Sequence, residues 1–164
     1  MGLDMYWTGK IYIGGQFEHR GINYNMNITR IRNEKEVPVE LPDDLPLEYV
    51  EYHLMYLRKA NAIHSWIVDN CAGGTDECQP IYMDYDALEE LHNTCRIVLE
   101  NKDNPDKITE ILPTSSGFFF GGTEYDEWYF ADVQAMYDFL DKLVKDDFAY
   151  LKKYDMDVIY YASW

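Results

Sequence analysis

The sequence is poor in basic residues: 14 of 164 positions are Lys or Arg against 30 Asp or Glu, a formal charge of −16. Binding along a nucleic acid draws on counterion release by clustered basic side chains, so this balance argues against general nucleic-acid binding. No apolar run approaches the length of a membrane span, which excludes a predicted transmembrane helix. The start, Met1-Gly2-Leu3-Asp4, has neither the basic segment nor the apolar stretch of a secretory leader, and Tyr6 breaks the N-myristoylation pattern. The expected compartment is therefore the cytoplasm. Cysteine is scarce and odd in number (Cys71, Cys78 and Cys95), so free thiols are expected. Cys71 and Cys78 lie near Asp76, Glu77 and His64, yet they form no tight Cys pair and no His pair at helical spacing, so no metal site is expected. Ser115-Ser116-Gly117 lacks the nucleophile-elbow pattern. There is no Walker loop and no dinucleotide fingerprint, and Gly14-Gly15 and Gly121-Gly122 read as turn glycines. No cofactor is implied.

What is present is a folding composition. Hydrophobic residues make up 47% of the chain, enough for one domain over 1–164 to build a core without a disulfide or metal staple. The fifteen tyrosines exceed what a core needs. Because each buried phenol wants a partner, many are expected at the boundary with water, where they suit recognition.

The periodicities sketch the elements. Residues 3–13 and 22–32 alternate with a period of two and read as an antiparallel hairpin turning at Gly14-Gly15. Residues 33–47, with Pro38, Pro42 and Pro46 among acids, read as an exposed loop or edge segment. Residues 48–54 read as a strand or a bent entry, leading to a helix over 56–71 that ends at Gly73-Gly74. Residues 75–80 are a loop and 81–83 a short extended piece. Asp84 caps a helix with Leu88, Leu91, Cys95, Val98 and Leu99 on its apolar stripe. Asn104-Pro105 opens a shorter helix that stops at Leu112-Pro113. Phe118-Phe119-Phe120 reads as a buried strand or packed loop. The longest helix is expected from Glu124 to about Lys145, followed by a continuation or short helix over 146–154 and a terminal strand at 158–161. The predicted class is α+β: a small, mostly antiparallel sheet packed against three to four helices.

Two stretches look like walls of one pocket. On a helical wheel of 56–71, Tyr56, Ala60, Ile63, His64, Ile67 and Cys71 fall on the core arc, with Arg58 and Asn61 toward its edge. The second stretch is residues 112–129. Together they offer Trp66, Phe119, Tyr125, Trp128 and Tyr129 for stacking. For polar contacts they offer Arg58, Lys59, Asn61, His64, Thr114, Ser115 and Ser116, with the Ser-Ser-Gly turn as an anion nest. His64 as a base oriented by Asp126 is the catalytic alternative. Against these readings stand ordinary ones: Trp66 and Trp128 in the core, Arg58 paired with a surface acid, and His64 as a hydrogen-bonded histidine at the core edge.

The blocks Met1-Gly2-Leu3-Asp4-Met5-Tyr6, Tyr56-x-Arg58-Lys59-Ala60-Asn61-Ala62-Ile63-His64-x-Trp66, the run from Leu112 to Phe130, and the ending Tyr160-Tyr161-x-Ser163-Trp164 span the whole chain. In that order they resemble a family of small proteins of bacteriophages and prophages. The resemblance implies a bacterial host cytoplasm and supplies no catalytic residues. The resulting expectation is a protein that binds a small anionic, nucleotide-like ligand, sequestering a nucleotide-derived host immune signal. The alternatives are an acidic protein-binding inhibitor or DNA mimic, and a nucleotide-acting enzyme. A pocket shared across a homo-oligomer is compatible with the sequence, although no pattern requires one.

Overall fold

A computed structural model describes residues 2–13, 28–40, 48–117 and 119–164. The chain divides into two units, Met1–Lys10 with Glu51–Trp164 and, separately, Ile11–Val50. The sheet of the larger unit has the order β4 (Tyr49–Arg58), β1 (Asp4–Tyr12), β6 (Met156–Ser163), β5 (Ile81–Met83). β5 and β6 are antiparallel, with Ile81 opposite Tyr160 and Met83 opposite Val158. The helices are α1 (Asn61–Cys71), α2 (Tyr85–Glu100), α3 (Pro105–Ile111), α4 (Glu127–Val144) and α5 (Ala149–Tyr154). This is the expected α+β class, a mostly antiparallel sheet with a helical layer.

The period of two decides which face of the sheet is covered. Leu3, Met5 and Trp7 are fully buried, as are Val158, Tyr160 and Ala162 of β6, while on the other face the Tyr6 ring packs against those of Tyr56 and Tyr161. Gly9 sits on the buried side, where a Cβ would come within 2.3 Å of the Met156 sulfur. The helices add Ile63 and Ile67 of α1, Leu88, Leu91, Cys95 and Val98 of α2, and Val133, Met136 and Leu140 of α4. The expected caps hold: the Asp84 carboxylate accepts from the Ala87 amide, and Asn104 accepts from Lys107 with Pro105 in the first turn.

Two expectations about the helices need correction. First, the stretch 56–60 is not helical. β4 runs through Arg58, and Tyr56 is exposed on the sheet. The Lys59 amide donates to the Leu3 carbonyl at 2.7 Å and the Tyr56 hydroxyl to Asp4, so pairing with β1 overrides the helical period. Second, the longest helix begins at Glu127, because the Asp126 carboxylate takes the N-cap position. It ends at Val144, and positive φ at Asp147 and Phe148 separates it from α5. Residues 118–120 read as either a buried strand or a packed loop, and for Phe119 and Phe120 the loop holds: they lie in a turn, with the Phe120 amide donating to the Gly117 carbonyl at 3.2 Å. Phe118 lies outside the described residues.

In the smaller unit, β2 (Thr29–Arg32) pairs antiparallel with β3 (Lys35–Pro38). Asn33 and Glu34 form the loop, both at positive φ, the backbone that two-residue hairpins require. The described end of the expected 22–32 strand therefore pairs forward with 35–38 instead of back with 3–13. β3 occupies part of what reads as loop in the sequence. Gly14-Gly15 and residues 16–27 and 41–47 lie outside the described residues.

Candidate functional site

The larger unit carries a pocket of about 470 Å³, lined by Arg58, Lys59, Ala60, Asn61, Ala62, Ile63, Thr114, Gly121, Gly122, Glu124, Asp126, Trp128, Tyr129, Asp132 and Val133. One wall is the junction from β4 to α1, and the other is the 114–124 loop with the start of α4. The size falls in the range of small-molecule sites.

The junction is built from unusual backbone. Lys59 has φ 63, and Ala60 (φ −76, ψ 66) forms an inverse γ-turn in which the Asn61 amide donates to the Lys59 carbonyl at 2.8 Å. The chain thus passes from β4 to α1 within two residues, and both Arg58 and Lys59 are in the lining. Arg58 Nε lies 3.5 Å from Asp4.

Asn61 joins the two walls. Its side-chain amide donates to the carbonyls of Phe120 (3.0 Å) and Gly122 (2.8 Å), and its oxygen accepts from the Ser115 amide at 2.9 Å. The residue is 4% exposed, so these bonds form largely out of water. Gly121 (φ 90) completes the join, because a Cβ there would lie 3.1 Å from the Lys59 Cβ. Thr114 Oγ1 donates to the Thr123 carbonyl at 2.9 Å, and the Tyr129 hydroxyl donates to the Leu112 carbonyl at 2.8 Å. Burial holds the Tyr129 phenol well above its usual range.

At the head of α4, one Asp126 oxygen accepts from the Trp128 and Tyr129 amides, each at 3.0 Å. The helix end is therefore already occupied by a carboxylate and does not offer itself to an anion. Trp128 is 71% exposed and, among the described residues, its ring packs on no other. Asp132, half-buried one turn further on, has no hydrogen-bond or ion-pair partner among the described residues. Burial, then the Asp126 charge, pushes its carboxyl up to about 6.

Of the expected site residues, Arg58, Lys59, Asn61, Asp126, Trp128 and Tyr129 line this pocket, and Thr114 does too. The others take different places. Ser115 is held through its amide by Asn61, while Ser116 is exposed. Phe119 accepts from the Leu3 amide at 3.1 Å through its carbonyl. Tyr125 packs edge-on against Tyr129, with ring centroids 5.0 Å apart, behind the lining. Trp66 is half-buried on α1. His64 is 1% exposed, so it belongs to the core. Its Nδ1 lies 2.7 Å from the Tyr160 hydroxyl and its Nε2 3.0 Å from Asp76. Burial raises the Tyr160 phenol, so that hydroxyl stays protonated and donates to Nδ1, leaving the Nε2 proton for Asp76. The expected pairing of His64 with Asp126 is therefore not formed: Asp126 caps α4 and Asp76 orients the imidazole.

Cys71 and Cys95 are poor nucleophiles, since burial pushes their thiols up to about 11 and about 12. Among the described residues no three His, Cys, Asp or Glu side chains converge as a metal site would require, and no helix is long and apolar enough to cross a membrane.

Sequence reasoning missed Asp132. The signal was there: on the α4 wheel it falls one turn after Trp128 and beside the Tyr129–Val133 stripe, an acid at the edge of the core face.

No protein-family model matches the chain, and no curated protein and no solved structure matches it at a significant level.

Proposed function

We propose that this protein binds a small nucleotide-like ligand in the pocket between the β4–α1 junction and α4, and acts by holding it. The observation that carries the reading is the presence of Arg58, Lys59 and the exposed Trp128 in the lining of one cavity of about 470 Å³. A planar base stacks on an exposed indole, and a phosphate takes charge-assisted hydrogen bonds from a guanidinium. Holding is favoured over turnover because His64, a buried histidine with an orienting carboxylate, is turned to Tyr160 and Asp76 and is not part of the lining. The resemblance to bacteriophage proteins suggests a use in the bacterial cytoplasm, the capture of a nucleotide-derived host defence signal.

Equilibrium dialysis against a panel of nucleotides, cyclic nucleotides and ADP-ribose derivatives, with chromatography of what is retained, tests this. One class of ligand is expected to be retained and recovered intact, with Arg58→Ala weakening retention about tenfold, the loss of a charge-assisted contact. Recovery of a converted product overturns the holding role, and no retention by any member overturns the ligand class.

A further inference from the structure

The lining is not simply cationic. Arg58 and Lys59 stand on the junction wall, while Glu124, Asp126 and Asp132 stand on the loop and α4 wall. A ligand for this pocket must therefore be bipolar, with its anionic end on the junction and hydrogen-bond donors toward α4. A di- or triphosphate would bring more negative charge than two basic residues can balance beside three acids. A simple cation would meet Arg58 and Lys59.

The acids are not equivalent. Asp126 already commits an oxygen to the α4 amides, and Glu124 is exposed on the loop. Asp132 alone is half-buried and unpartnered among the described residues, next to Val133 and one turn from Trp128. Half-exposed and bonded to no donor among the described residues, the Asp132 carboxylate is open to accept from a ligand in the pocket. Among the common bases, guanine presents two neighbouring donors on one edge, its ring N–H and its exocyclic amino group, which match the two oxygens of a carboxylate. Adenine offers a donor beside an acceptor, and that acceptor would face a carboxylate oxygen.

Resting on the reading of this pocket as a nucleotide site, we propose that it selects a guanine nucleotide carrying a single phosphate. The guanine donor edge lies on Asp132, the ring on Trp128 and the phosphate on Arg58 and Lys59. Asp132 is the specificity-determining residue. Burial and the nearby Asp126 charge raise its affinity for a proton, an environment that two donors from a ligand would ease.

Calorimetric titration of the full chain near neutral pH with guanosine monophosphate, adenosine monophosphate and ribose phosphate tests the assignment. The guanine nucleotide is expected to bind at least about tenfold tighter than the adenine one, the discrimination of a bidentate pair. Asp132→Asn, nearly isosteric, is expected to reduce that ratio to about threefold or less, while ribose phosphate, relieved of one nearby negative charge, binds no more weakly than before. A wild-type ratio within about threefold, or a ratio unchanged in Asp132→Asn, overturns the guanine assignment while nucleotide binding stands. Failure of all three ligands to bind the wild-type chain overturns this inference, and failure of the whole dialysis panel as well overturns the nucleotide reading on which it rests.

Discussion

Asn61 is the residue on which the pocket depends. Three of its four hydrogen-bonding positions are filled by the backbone of residues 115–122. Asn61→Ala strands two carbonyls and an amide beside a buried position. The expected destabilisation is about 2–3 kcal/mol, read as a drop in melting temperature of roughly 5–10 °C. Asn61→Asp is expected to be no milder, since it turns a carboxylate toward the Phe120 and Gly122 carbonyls. A near-wild-type melt for either variant would refute the clamp. Asp132 makes the opposite prediction. Its carboxyl is raised in the folded protein from 3.8 to about 6, so the folded state holds the proton longer than the unfolded one. That contribution is fully present at low pH and is lost as pH rises from about 4 through 6. Discounted for solvent over a half-exposed group, its loss is worth about 1 kcal/mol. Asp132→Asn is therefore expected to melt with the wild type near pH 4 and about 2–4 °C above it near pH 7. The difference between the two melting curves across that range is the measurement, and a constant difference would contradict the assignment.

At the scale of elements, the site is the place where a strand becomes a helix within two residues. Gly121 fits there at positive φ against Lys59, whereas a Cβ at Gly122 would have nothing within 4 Å. Gly121→Ala is expected to lose about 1–2 kcal/mol in a denaturant melt, and Gly122→Ala to stay within about 0.5 kcal/mol of wild type. Equal losses would place no strain at Gly121. This junction also marks the limit of what the sequence reveals. Ala60, Ile63, His64 and Ile67 share a helical period, and all four are buried as that period implies. The same period extends back to Tyr56, where it misleads: Tyr56 and Lys59 are tied to β1 by hydrogen bonds to Asp4 and Leu3, partners more than fifty residues away in sequence. Asp84 and Asn104 were legible as caps because a cap is a local arrangement between a side chain and the next turn. Asp76 as the partner of His64 was not, because the loop that carries it has no period and the contact depends on how that loop folds back. The two blocks suggested opposing walls. That Asn61, and not Ser115 or Ser116, would hold them together could not be read from residue types.

At the scale of the molecule, 30 acidic residues against 14 basic ones give a field that repels anions and strains the compact state. Raising salt from about 10 to 300 mM is expected to raise the melting temperature by several degrees, since screening shortens the reach of that repulsion to a few ångströms. A melting temperature that falls with salt would show that attractive ion pairs dominate instead. The same screening eases the approach of a phosphate to Arg58 and Lys59. On the proposed reading, retention of a nucleotide is set by a contest between the local cations and the global charge, and the pocket's own acids limit how much negative charge the ligand brings.

The central claim, that this pocket holds a nucleotide-like ligand, is tested most directly by melting the full chain with and without saturating nucleotides. At about one hundred times its dissociation constant, a ligand bound only by the folded state adds about 2.7 kcal/mol, a shift of several degrees. The account predicts such a shift for a nucleotide in the wild type, sharply reduced in Trp128→Ala and Arg58→Ala while their ligand-free melting temperatures stay close to wild type. A full nucleotide panel that leaves the wild-type melt unmoved, or a shift that survives both substitutions, would contradict it.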